Sequence, residues 1–247
     1  MENLITKNLN YVELRESLKE DETEIQNAIN SILSPSVKER LIDEAKDFYA
    51  NLFGVNKEDI WYGDISIRYP ECTNPFPFSH VIGTVDLSSS NIKMDKLVYC
   101  LNINSTGISK FANLETIENT GNFNGTARLT SAITYLPKLT KAPYLYCGNS
   151  NLKELGLKRS VRVNLTSSKI EKIELETVEQ ELSVAFSCVK DISSLKRVGK
   201  LNARNTHLEK VNPQMVVYEN LIGTNSNIVE LLNKPAEVQI NDNDDII

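Results

Sequence analysis

The sequence predicts an α+β protein in which a small N-terminal helical cap precedes a repeat solenoid built on a parallel β-sheet. Three observations carry this expectation. Eight short segments share one pattern: an apolar residue, then Ser or Thr three positions later, and usually Ile, Leu or Val five positions later. The pairs are Leu87/Ser90, Ile103/Thr106, Phe123/Thr126, Cys147/Ser150, Leu165/Ser168, Val184/Ser187, Ala203/Thr206 and Gly223/Ser226. The hydroxyl positions lie 16, 20, 24, 18, 19, 19 and 20 residues apart, and self-similarity at a period near twenty marks stacked repeats. Ser and Thr make up 36 of 247 residues, too few for composition alone to place them at all eight positions. The first eighty residues lack the pattern and follow helical spacing instead.

The head reads as follows. Leu14 and Leu18 hint at an early helix, and Ile25, Ala28, Ile29, Ile32 and Leu33 form a helical stripe that ends before Ser34-Pro35. Ser36 and Glu39 fit a capping box, in which hydroxyl and carboxylate each satisfy a free amide of the first turn. Val37, Leu41, Ala45, Phe48, Tyr49 and Leu52 then recur at helical spacing, and Gly54 supplies the stop. Ile65-Ser66-Ile67-Arg68-Tyr69 alternates like a strand, and a loop with Pro70, Pro75 and Pro77 leads into the repeats. These signals divide the chain into a mainly helical cap, 1–80, and a solenoid of eight to nine repeats, 81–247. Solenoids need such a cap to cover the exposed end repeat.

Each repeat supplies one short strand. Within Leu101-Asn102-Ile103-Asn104, apolar and polar residues alternate, so Leu101 and Ile103 should face the core and Cys100, Asn102 and Asn104 the outside. After the hydroxyl a second apolar set returns to the core: Ile108, Phe111, Leu114 and Ile117 in one repeat. Ile170, Ile173, Leu175 and Val178 do so in another, and Val189, Ile192, Leu195 and Val198 in a third. Phe123 fits least well, because Leu129 comes one position late and the following repeat is long, which predicts an irregular turn there.

These segments resemble the leucine-rich repeat, L-x-x-L-x-L-x-x-N/C-x-L. The match is clearest at Val198-x-x-Leu201-x-Ala203-x-x-Thr206-x-Leu208 and Val98-x-x-Leu101-x-Ile103-x-x-Thr106-x-Ile108. Val163-x-Leu165-x-x-Ser168-x-Ile170, Leu182-x-Val184-x-x-Ser187-x-Val189 and Leu221-x-Gly223-x-x-Ser226-x-Ile228 repeat its core. Ser or Thr stands where the family has Asn or Cys, and a short hydroxyl also bonds turn backbone. The segments look similar to short leucine-rich proteins of bacteria and their phages. The resemblance covers roughly residues 81–240 and implies a non-enzymatic protein-binding solenoid, one form of which is an inhibitor or modulator of a host protein.

Composition narrows the function classes. Hydrophobic content is 40%, charged content 24% and net charge −6, as in an ordinary globular protein. No apolar run approaches the ~20 residues that cross a bilayer, and Met1–Thr6 has no secretory pattern, so a cytoplasmic location is expected, without membrane contact. Residues 1–80 hold 8 basic and 15 acidic residues; the remaining 19 basic and 18 acidic fall in 81–247. Neither half has the basic surplus of a nucleic-acid binder. The run Glu20–Glu24 suits a helix start, or presents acid to a basic partner. Cys72, Cys100, Cys147 and Cys188 lack metal or disulfide spacing, Cys147 reads as a core residue, and no cofactor is implied. The tail Asp242–Asp245 lacks the Gly and distal Glu of a calcium loop. Cys188 and His207 share one column of adjacent repeats, the single pairing that points toward nucleophilic chemistry.

What remains is surface. Residues flanking the inward strand positions point out of the sheet: Thr84, Asp86 and Ser88 first, then Cys100, Asn102 and Asn104, then Asn122 and Asn124. Tyr144, Tyr146 and Gly148 follow, then Arg162, Asn164 and Thr166, then Glu181, Ser183 and Ala185. Lys200, Asn202 and Arg204 precede Asn220, Ile222 and Thr224. The early rows are small and polar. Tyr144, Tyr146, Arg162, Lys200 and Arg204 bring the residue types that dominate interface hot spots, and mark the candidate protein-binding stripe. Two alternatives stay open: a structural component of an assembly, or an enzyme using the head or the Cys188/His207 column.

Overall fold

The computed structural model describes residues 35–67, 75–87, 94–105, 111–124 and 135–233. The chain divides into two units, Met1–Gly54 and Val55–Ile247. In the first, the expected helix spans Pro35–Phe53. It begins one residue earlier than the proposed capping box, so Ser36 lies inside the first turn rather than at the cap. Proline suits that place because its φ is already helical and its missing N–H would have had no partner there. Gly54 ends the helix at φ 67°, a conformation glycine adopts without steric cost. The apolar stripe stacks on itself through Phe48–Tyr49 and Tyr49–Phe53 ring pairs, and Arg40 pairs with Glu44 one turn on at 3.6 Å. The stripes at Leu14–Leu18 and Ile25–Leu33 and the run Glu20–Glu24 lie outside the described residues.

The second unit is a parallel β-solenoid whose coils repeat about every nineteen residues. Its main sheet runs from β1 (Ile60–Tyr62) through β3 (His80–Asp86), β4 (Tyr99–Asn104) and β5 (Thr116–Asn122). It continues through β7 (Tyr144–Tyr146), β9 (Arg159–Asn164), β10 (Thr177–Ser183) and β12 (Arg197–Asn202) to β14 (Val216–Ile222). β2 (Ile65–Ser66) also pairs with β3. Two small sheets, β6 (Tyr135–Leu136) with β8 (Glu154–Leu155) and β11 (Asp191–Ile192) with β13 (Lys210–Val211), lie off the main one. The sheet thus takes in two strands from the stretch assigned by sequence to the head.

Register lines up one buried column: Val85, Ile103, Gly121, Leu145, Val163, Leu182, Leu201 and the half-buried Leu221. A second column sits two residues later: Leu87, Ser105, Phe123, Cys147, Leu165, Val184 and Ala203, each N–H donating to the strand of the next coil. The second apolar set closes the core from behind. Phe111, Leu114, Ile117, Ile170, Ile173, Leu175, Val178, Val189, Ile192, Leu195 and Val198 are all at most 1% exposed; Ile108 lies outside the described residues. The strands do not alternate strictly. Register shifts between Cys100 and Asn102, Val178 and Glu181, and Val198 and Lys200 mark bulges, each of which re-aims the side chains around it. Cys100 is therefore fully buried and Leu101 half-buried, the reverse of the simple alternation.

The register also corrects one pair. Ile103 stacks on Val85 and Gly121, so Ser105, not Ile103, occupies the column of Leu87 and Phe123. The pair Ile103/Thr106 is displaced by two residues. A slip of two leaves the same strand face inward, which is why polarity alone cannot detect it.

The turn explains the apolar-x-x-hydroxyl spacing. Two residues after the inward position, Asn149, Ser167, Phe186, Asn205 and Asn225 hold φ between 50° and 57°. The next residue carries the hydroxyl, and its N–H returns to the inward carbonyl, as for Ser168 to Leu165 and Ser187 to Val184. The hydroxyl itself donates to that carbonyl from Ser150 to Cys147 (2.6 Å), Ser187 to Val184 (2.6 Å) and Thr206 to Ala203 (2.5 Å). Ser90, Thr106 and Thr126 lie outside the described residues. After the last described turn, the Asn227 side chain accepts from Leu208 N–H (2.9 Å) and donates to its carbonyl (2.6 Å). It thereby supplies the backbone pairing that another coil would give, and the helix Ile228–Asn233 follows.

Candidate functional site

The outward face of the main sheet carries two columns. One runs Thr84, Asn102, Thr120, Tyr144, Arg162, Glu181, Lys200, Asn220; the other Asp86, Asn104, Asn122, Tyr146, Asn164, Ser183, Asn202, Ile222. Tyr144 and Tyr146 of β7, Arg162 of β9 and Lys200 of β12 are thus brought onto one patch, with Glu181 of β10 between the two cations. The two tyrosines flank the fully buried Leu145 and are themselves half-buried. Arg204 stands apart, exposed at the turn beyond β12, with its guanidinium 5.5 Å from the centroid of the Phe186 ring. Ala185, expected to face outward, is 3% exposed, because the turn folds it under.

Glu181 organises the cations of the patch. Its carboxylate lies 3.9 Å from Arg162 Nε and 3.3 Å from Lys200 Nζ, and Arg162 Nη2 donates to Gln180 Oε1 at 3.4 Å. Two cations share one carboxylate, which leaves the cluster net positive. Arg162 Nε is covered yet has no hydrogen-bond partner. Beside it opens a cleft of ≈ 350 Å³ lined by Tyr146, Arg162, Asn164, Glu181, Ser183 and Asn202. The asparagines are oriented by the turns: Asn164 Oδ1 accepts from Thr166 N–H at 2.9 Å and Asn202 Oδ1 from Arg204 N–H at 3.3 Å. Fixing each carbonyl oxygen leaves the amide nitrogen as the outward donor. Phenol rings, guanidinium, ammonium and amide groups together can hold carboxylates and carbonyls by directional hydrogen bonds.

Other reactive groups are placed as follows. Cys188 and His207 lie exposed on adjacent coils, with no hydrogen bond between them among the described residues. Cys100 and Cys147 are fully buried, and burial pushes both thiols up, away from thiolate. His80, stacked on Tyr99 and joined to Ser79 Oγ at 2.8 Å, is held low by burial, against the pull of Asp59 and Glu115. Among the described residues no cluster of His, Cys, Asp or Glu could hold a metal ion, and no helix is long and apolar enough to cross a membrane. The tail Asp242–Asp245 lies outside the described residues.

Sequence reading passed over Phe186. Its signal was available: the residue before the ladder hydroxyl is Asn149, Ser167, Asn205 or Asn225 in other coils, and an aromatic ring in that slot stands out. The ring is 53% exposed. No family model, curated protein or solved structure matches the chain.

Proposed function

We propose that this chain is a leucine-rich-repeat-like binding protein, and that it recognises another protein through the outward patch of its sheet. The observation behind this reading is the register column Tyr144, Arg162, Glu181, Lys200, which sets ring, guanidinium and ammonium side by side over three strand spacings. Tyrosine and arginine supply contact area and directional bonds at low entropy cost. The Glu181 bridge steadies the two cations before a partner arrives. Action as an inhibitor or modulator of a host protein belongs to the same proposal.

Affinity capture from host lysate with mass spectrometry is the test, run on the native chain and on Tyr144→Ala with Arg162→Ala. The double variant should weaken capture by ~2 kcal/mol or more. Its melt should stay close to that of the native chain, since an ion pair this exposed is worth ~0–1 kcal/mol. Asn104→Ala, on the early polar rows, is the control and should matter less. Capture lost in the control and kept in the double variant would move the binding face away from the tyrosines.

A further inference from the structure

Each turn before a ladder hydroxyl passes through the left-handed region. Asn149, Ser167, Asn205 and Asn225 do so at φ 50°, 57°, 51° and 54°, with small side chains that strain this conformation little. Phe186 does so at φ 55°, where a bulky residue is an outlier. Backbone strain of this kind persists only when the surrounding structure imposes it, and it gathers at functional positions. The ladder around Phe186 does impose it: its N–H donates to Arg204 C=O at 2.9 Å, and Ser167 N–H donates to Ala185 C=O at 2.9 Å.

Core packing does not account for the ring, which is 53% exposed and lies under the Arg204 guanidinium at 5.5 Å. The surrounding charge is one-sided. The five turns 148–152, 166–170, 185–189, 204–208 and 224–228 contain no Asp or Glu, while they contribute Lys169 and Arg204 in a chain of net charge −6. Neither cation has a carboxylate partner among the described residues.

We propose that Phe186 and Arg204 form an anchor for a partner protein whose surface places a large apolar side chain beside a carboxylate. The ring packs on the apolar side chain, and the guanidinium, already placed against the ring face, takes the carboxylate in a forked hydrogen bond. The turn of Phe186 and the ring contact of Arg204 on the next coil hold both groups in place in advance, so little side-chain freedom remains to be lost on binding. Two cations are too few for nucleic acid, where affinity accumulates over many phosphate contacts. One ring is not the apolar helix face that enters a bilayer surface. The proposal rests on the reading that the chain binds protein, but not on the sheet patch being the place.

The test pans a phage-displayed random-peptide library on the full chain, on Phe186→Asn, on Arg204→Gln and on Tyr144→Ala with Arg162→Ala. Phosphatidylserine vesicles and a single-stranded oligonucleotide serve as further probes. Peptides joining a large apolar residue to Asp or Glu should be enriched, and should bind Phe186→Asn and Arg204→Gln at least tenfold more weakly. Because asparagine relieves the strained turn, Phe186→Asn should also melt ~2–4 °C higher. A lower melt for Phe186→Asn would make the ring a packing element and overturn the anchor. So would a library without enrichment, equal binding to Phe186→Asn, or Phe186-dependent binding to vesicles or oligonucleotide instead of peptide. Loss in the Tyr144/Arg162 variant with full retention in Phe186→Asn overturns the anchor and leaves the sheet patch standing. The opposite pattern supports the anchor and removes the sheet patch.

Discussion

At the scale of single residues, the ladder hydroxyls are not equivalent. Thr206 is 5% exposed, donates to Ala203 C=O at 2.5 Å and meets Ser226 Oγ at 3.2 Å. Ser168 is 1% exposed, yet its Oγ has no partner. Removing a satisfied hydroxyl strands the carbonyl it served, whereas removing an unsatisfied one strands nothing. Thr206→Val should therefore cost ~1–3 kcal/mol, read as a lower urea midpoint at unchanged slope. Ser168→Ala should be neutral or slightly stabilising in the same melts. Equal losses in both would mean that the serine and threonine positions are selected for size alone. Sequence could locate these hydroxyls, because each must fall three residues after an inward side chain to meet its carbonyl. It could not rank them, because the spacing is the same whether the hydroxyl reaches the inward carbonyl, as in Thr206, or finds no partner, as in Ser168.

At the scale of the strand, sequence reading succeeded on the second apolar set and erred where bulges intervene. Val189, Ile192, Leu195 and Val198 are all buried as their spacing requires, since the shift at the end of this stretch comes only after Val198. Cys100 and Leu101 exchanged roles because the shift between Cys100 and Asn102 turns the chain by one position, and nothing in Tyr-Cys-Leu-Asn announces it. One bulge does leave a trace. Gly199 sits at the shift between Val198 and Lys200, where a Cβ would lie 2.4 Å from Gln180 O and 2.5 Å from Glu179 O. Those atoms are strand backbone and cannot swing aside. Gly199→Ala should cost ~1–3 kcal/mol by overpacking, and it should broaden amide exchange across β10 and β12. An unchanged melt would show that the bulge tolerates a side chain and that glycine is incidental there.

At the scale of the whole molecule, a solenoid holds together through contacts between neighbouring coils, so its ends decide its solubility. The C-terminal edge carries exposed Val216 and Tyr218 on β14, and the Asn227 amide closes part of it against Leu208. At the other end, Ile60, Trp61 and Tyr62 pair with His80, Val81 and Ile82, and Ile65 pairs with Val85. Ile60 is fully buried, Ile65 and Ile67 pack on the core, and Asp59 reaches Lys96 at 2.5 Å. The sequence placed the start of the repeats at 81 because Pro70, Pro75 and Pro77 interrupt the pattern and the strands before them are short. The paired backbone places the first strand at Ile60. Two truncations separate these starting points. A fragment of residues 55–247 keeps β1 and β2 on the edge of β3, and should stay soluble and melt as one cooperative unit. A fragment of residues 81–247 removes both strands, uncovers Val81 and Val85 and leaves an unpaired edge, which should drive association. Light scattering and thermal melts of the two fragments read the result. If 81–247 remains monomeric and melts like 55–247, the first coil adds nothing to the solenoid. If both aggregate, the first two strands are not enough to keep the solenoid soluble.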